Sequence, residues 1–137
     1  MDLYNNEILT YAITAGSPNL EFAIKPLDSL IALIPNRPYK QFLHTDQGWQ
    51  YRHSGWQNKL KKAHITPSMS RRATCLDNAC IESFVNKLKV ELGNLSNYNS
   101  AEKLITAVKK WIIYYNTNRI QMKLGGTSPI KYRLCAA

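Results

Sequence analysis

The stretch Tyr39-Lys40-Gln41-Phe42-Leu43-His44, followed by Thr45-Asp46-Gln47-Gly48, reads as a short strand running into a polar turn. That leaves Asp46 just past the carboxyl end of a strand, where α/β sheets tend to place their sites. Working outward, residues 54–63 predict a basic helix and Ile65–Met69 a second short strand. Asp77 is a good N-cap for a helix whose Ile81, Phe84, Val85, Leu88 and Leu92 make an apolar stripe at helical spacing. A further helix follows Ser100, with Leu104, Val108, Trp111, Ile112 and Tyr115 as its inward face, and Gly125-Gly126 breaks the chain before a last short helix from Ser128-Pro129. Toward the N-terminus, Ser17-Pro18 predicts a helix start, with Ala23, Leu27, Leu30, Ile31 and Ile34 on one face and Pro35 as the stop. Pro26 lies inside that helix, where it deletes a hydrogen bond and should kink or interrupt it. Residues 7–14 alternate partly and predict a strand, with Asn5-Asn6 as the tip of a hairpin before it. Strands alternating with helices make this a mixed α/β chain, and 137 residues fit a single domain.

Composition narrows the class. Hydrophobic residues make up 45% of the chain, so a core forms without disulfides. Cys75, Cys80 and Cys135 are neither an even set nor a paired spacing, and with no signal peptide before them they read as reduced thiols in a cytoplasm. No apolar run reaches the ~18 residues of a membrane span, so no membrane partner is expected. Charge is more informative. Residues 1–35 hold one base against four acids, whereas residues 36–137 hold 17 bases against five acids, and the whole chain carries +9. A one-sided positive field attracts polyphosphates, because each neutralised phosphate releases condensed counterions. Solubility alone is the competing reading of that charge.

Two acids stand apart. Asp46 ends a strand, and Glu82 lies near the start of a helix on the face away from the apolar stripe, with 35 residues between them. Two carboxylates brought together suit hard divalent cations, which take oxygen ligands and stay partly hydrated. Their flanks are His44-Thr45-Asp46-Gln47-Gly48-Trp49-Gln50-Tyr51, then Ser68-Met69-Ser70-Arg71-Arg72, then Cys75-Leu76-Asp77-Asn78-Ala79-Cys80-Ile81-Glu82-Ser83-Phe84, closing on Leu88-Lys89. Together these closely resemble the integrase-like core of insertion-sequence transposases, members of the retroviral-integrase-like (Asp-Asp-Glu) superfamily. Tyr114-Tyr115-Asn116 with Arg119, Ser128-Pro129 and Tyr132-Arg133 match the C-terminal pattern of the same family.

The resemblance implies an RNase H-like fold, a mixed sheet flanked by helices, over residues 1–137. It implies a catalytic and metal-binding role for Asp46, matching the family's second Asp, and for Glu82, matching its Glu. Lys89 matches the basic residue seven positions after the Glu. Seven residues is nearly two helical turns, so Lys89 projects from the same side as Glu82, where it could hold a substrate phosphate. The implied chemistry is DNA 3′-end cleavage and strand transfer with two Mg2+ (or Mn2+) ions, on transposon ends and target DNA, in a homo-oligomer or with intact transposase. Arg71, Arg72, Lys59 and Lys62 are the further candidates for DNA contact.

One departure matters most. The family's first Asp sits on the first strand of the sheet, and no residue here matches it; Asp2 and Asp28 fall at other positions of the pattern. The expectation is therefore a core lacking its first strand and inactive alone, with a DNA- or transposase-binding remnant as the alternative reading. A basic nucleic-acid-binding module with incidental acids is a third, and it leaves the Asp46–Glu82 spacing unexplained. Zinc is disfavoured, because His44, His53, His64, Cys75 and Cys80 match no common zinc spacing. Trp49, Tyr51 and Trp56 sit among bases and read first as packing residues, second as stacking platforms for nucleobases.

Overall fold

The computed structural model describes residues 1–34, 39–70 and 75–135. They fall into two compact units, one formed by residues 16–79 and the other by residues 1–15 together with 80–137.

The first unit opens with helix α1 (Leu20–Leu33). Asn19 caps it, its side-chain oxygen accepting from the Phe22 amide at 2.8 Å. The start thus lies two residues beyond the predicted Ser17 cap, because the cap is the residue whose short side chain reaches a free amide of the first turn. Pro26 sits inside α1 without interrupting it, contrary to one of the two outcomes expected for it. Of the predicted apolar face, Ala23 and Leu27 are buried and Ile31 packs against the core; Pro35 lies outside the described residues. Strand β1 (Gln41–Thr45), helices α2 (Trp49–Arg52) and α3 (Ser54–Lys62), and strand β2 (Ile65–Met69) follow. The strands pair in parallel, Gln41 opposite Ile65 and Thr45 opposite Met69. Parallel neighbours require a crossover, which α2 and α3 provide. His53 caps α3 by accepting from the Gly55 amide at 3.0 Å, and His64 turns the chain into β2 with a left-handed φ of 56°. Ala23, Leu27, Trp56, Leu60 and Ile65 form the core, with Leu43 and Tyr51 against it. Tyr51 meets Trp56 edge-on at 4.9 Å, so both pack, whereas Trp49 stays exposed.

The second unit is built around α4 (Ala79–Leu92), α5 (Ala101–Thr117) and α6 (Pro129–Cys135). A 3-10 turn, Cys75–Asn78, precedes α4, so Asp77 belongs to that turn and the helix begins one residue later than an Asp77 cap implies. Phe84 is buried and Leu88 and Leu92 pack beside it, but Ile81 and Val85 are exposed; the apolar stripe is narrower in use than in sequence. Ser100 caps α5, accepting from the Lys103 amide at 3.2 Å, and Trp111, Ile112 and Tyr115 are buried as its inward face predicts. Phe84, Trp111 and Tyr115 form a ring cluster with centroids 5.0–5.5 Å apart. Gly125 and Gly126, at φ 62° and 75°, supply the left-handed turn that closes the Gln121–Thr127 bridge before α6.

The predicted strand over residues 7–14 does not form as a strand among the described residues. The turn before it does: Asn6 has φ 60° and the Asp2 amide donates to the Glu7 carbonyl at 2.8 Å. The Ile8 backbone is instead satisfied by one side chain on α5. Asn116 Oδ1 accepts from the Ile8 amide at 3.0 Å and Asn116 Nδ2 donates to the Ile8 carbonyl at 2.9 Å. Alternation in sequence predicts which way side chains point; a strand also needs a ladder, and here an amide group takes the place of one.

Candidate active site

Asp46 follows β1 directly, at its carboxyl end, and is exposed. Its Oδ1 accepts from the Gly48 amide at 2.8 Å, a side-chain turn that short polar residues favour. A Cβ at position 48 would lie 3.0 Å from Asp46 Oδ1, so a larger residue there would press on that carboxylate. The loop is lashed to the end of β2 through Ser70, which is buried at 5% exposure. The Ser70 amide donates to the Thr45 carbonyl at 2.9 Å and its hydroxyl to the same oxygen at 3.3 Å. Gln47 Nε2 donates to the Ser70 carbonyl at 2.9 Å. The His44 ring bridges Ser68 Oγ, 2.9 Å from Nδ1, and Ser70 Oγ, 3.1 Å from Nε2. Register explains the first of these contacts, since His44 lies opposite Ser68 in the parallel pair.

Glu82 stands in the first turn of α4 and is exposed, and Lys89 is exposed on the same side of that helix. Asp46 thus belongs to one unit, and Glu82 with Lys89 to the other. Neither carboxylate has an ion-pair partner among the described residues. As oxygen donors open to solvent and uncommitted to a cation, both have the chemistry a hard divalent ion takes. Among the described residues no three His, Cys, Asp or Glu side chains gather as a metal-binding group. The His44 ring meets the Ser68 and Ser70 hydroxyls, and His53 accepts from the Gly55 amide.

The remaining basic candidates separate. Lys59 Nζ pairs with Asp28 at 2.6 Å, so part of its charge is already answered within its unit. Lys62 is exposed at the end of α3. Arg71 and Arg72 lie outside the described residues.

Three side chains of the C-terminal pattern turn out to be structural. Asn116 holds Ile8, as above. Arg119 binds Glu91 through Nε at 2.8 Å and its terminal nitrogen at 2.6 Å, while Trp111 Nε1 donates to the other oxygen of Glu91 at 3.0 Å. The Arg119 hydrogen bond, with the Trp111 donor behind it, lowers the Glu91 pKa below its ordinary value, and the same pairing raises that of Arg119. Arg133 pairs with the buried Glu7 at 2.8 Å, which raises the Arg133 pKa, and Asn5, wholly buried, donates to Glu7 Oε2 and to the Pro129 carbonyl. Sequence reading found Arg119 and Arg133 but not their acids, which no local spacing connects to them.

Residues 63–129 match the family described as Integrase core domain. The chain is 42% identical over 132 residues, 96% of its length, to an uncharacterized transposase-like protein of Haemophilus influenzae, and spans 60% of that protein. It is 38% identical over 97 residues, 70% of its length, to the transposase InsF for insertion sequence IS3fB of Escherichia coli, and spans 34% of that protein. Among solved structures it resembles the catalytic core domain of BIV integrase, with TM-score 0.62 and 19% identity, over 88% of this chain and 75% of that one. The likeness establishes the fold as the RNase H-like, mixed α/β integrase core. No helix among the described residues is long and apolar enough to cross a membrane.

Proposed function

Since the chain is a homologue of the insertion-sequence transposases with their integrase core, we propose that it serves DNA transposition as part of a metal-dependent strand-transfer enzyme. In this reading Asp46 and Glu82 are carboxylate ligands for Mg2+ or Mn2+, and Lys89 holds a phosphate of the DNA. What supports it is that Asp46 directly follows the carboxyl end of a strand, and that it and Glu82 are exposed acids with no ion-pair partner among the described residues.

Bound divalent ions supply Lewis acidity at the attacking and leaving oxygens of an in-line displacement at phosphorus. The residues of this chain do the rest. The Gly48 amide occupies one site on Asp46 Oδ1 and fixes the carboxylate while its other lone pairs stay open. Lys89 brings a point charge to a phosphate, on the side of α4 that Glu82 occupies. Lys62 and the other bases of residues 36–137 neutralise backbone phosphates, which positions DNA without reading its sequence. The family pattern has a third carboxylate, on the first strand, that none of these 137 residues matches. Cleavage and joining are therefore proposed for these residues acting with such an Asp, in a homo-oligomer or with intact transposase.

Manganese titration followed by amide NMR tests the metal reading. Paramagnetic broadening is expected first around Asp46–Gly48 and Ile81–Ser83, and it is expected to weaken in Asp46→Asn and in Glu82→Gln. Broadening that leaves both segments untouched overturns the assignment.

A further inference from the structure

We propose that Ser70 and His44 are positioning residues that fix Asp46 for metal binding, an inference that rests on Asp46 being a ligand. Ser70, the residue after β2, ties that end of the strand to the Thr45–Gln47 segment: its amide and hydroxyl donate to the Thr45 carbonyl and its carbonyl accepts from Gln47 Nε2, while its hydroxyl oxygen also meets the His44 ring. The His44 ring joins Ser68 Oγ to Ser70 Oγ, and the Ser70 hydroxyl also reaches the Thr45 carbonyl, on the peptide that leads into Asp46. Because Ser70 is buried, water is poorly placed to replace any link that is lost.

Groups that orient a ligand in this way commonly change metal affinity about 10–100-fold when removed. Mn2+ affinity of the full chain, measured by water-proton relaxation with Mn2+ alone as the probe, tests the assignment alongside thermal melting. Ser70→Ala is expected to bind Mn2+ about tenfold more weakly or worse, with Ser70→Thr, which keeps the hydroxyl, recovering most of the loss. His44→Ala is expected to weaken binding in the same direction; its ring is exposed, so it carries the test if Ser70→Ala does not fold. Ile65→Val loosens β2 without touching this network and should lower the melting temperature at unchanged Mn2+ affinity. If Asp46→Asn weakens binding while Ser70→Ala and His44→Ala bind as the native chain does, the positioning role is overturned and the ligand reading stands. If Asp46→Asn itself has no effect, the ligand reading fails and this inference with it. Equal loss of affinity in Ile65→Val overturns the positioning role by showing general loosening.

Discussion

Glu91 shows how single residues hold the C-terminal unit together. One carboxylate takes Arg119 on one oxygen and the Trp111 indole on the other, joining α4 to the middle of α5 and to the segment just past its end. Its pKa is lowered first by the Arg119 hydrogen bond, and the linkage has a definite sign. A folded-state pKa below the unfolded one gives stability that is present above the ordinary carboxylate range and is lost as pH falls through the folded value. The native chain should therefore be more stable than Glu91→Gln near neutral pH, and the gap should close on acidification. Urea unfolding of both proteins from pH 7 downward measures this; a gap independent of pH would mean that shape, not charge, matters at position 91. Such pairs were out of reach of sequence reading. Arg119 stands 28 positions from Glu91 and Arg133 stands 126 from Glu7, so only the folded chain matches base to acid. The Ser68–His44–Ser70 chain was hidden for the same reason: it depends on strand register, which spacing within either strand does not reveal.

At the scale of elements, local chemistry was legible where the element is defined by its own residues. β2 spans Ile65–Met69 as read from the sequence, α3 lies close to the predicted residues 54–63, and α5 begins directly after Ser100 as expected. Boundaries moved where two capping residues compete, as at Ser17 and Asn19, or where a tight turn leads in, as at Asp77. The segment at residues 7–14 differs in kind, since strand formation depends on a neighbour and Asn116 serves that role from 108 positions away. For the candidate site only the placement of its residues was legible: Asp46 follows its strand and Glu82 with Lys89 share a helix side as the spacing implies, while Lys59 is tied to Asp28. Helix α1 gives the element-scale prediction. Pro26 lacks the amide that would bond one turn back, yet the helix continues to Leu33 and buries Leu27 just beyond it. Pro26→Ala restores that donor and should raise stability by about 1–3 kcal/mol, read from urea denaturation. An unchanged or lower stability would show that the packing of Leu27 relies on a bend at the proline.

Across the whole molecule, basic charge is shared rather than confined to one face of one unit. Residues 16–79 carry nine bases against four acids, and residues 1–15 with 80–137 carry nine against five. Duplex DNA binding should thus weaken steeply with salt, at a log–log slope of about −0.9 per phosphate contacted. Lys62→Ala is expected to make that slope shallower by about one contact and to weaken all sequences alike. Binding indifferent to salt would speak against a phosphate-tracking surface. The chemistry itself is the central claim, and a strand-transfer assay on labelled transposon-end DNA with Mg2+ addresses it most directly. The 137 residues alone should neither cleave nor join DNA, because under the proposed assignment they would offer only two of the three carboxylates needed to fix the ions for in-line displacement. The same chain joined to an Asp-bearing first strand should transfer strands, and Glu82→Gln in that longer protein should abolish the product. Transfer by the 137 residues alone, or transfer that survives Glu82→Gln, would contradict the account.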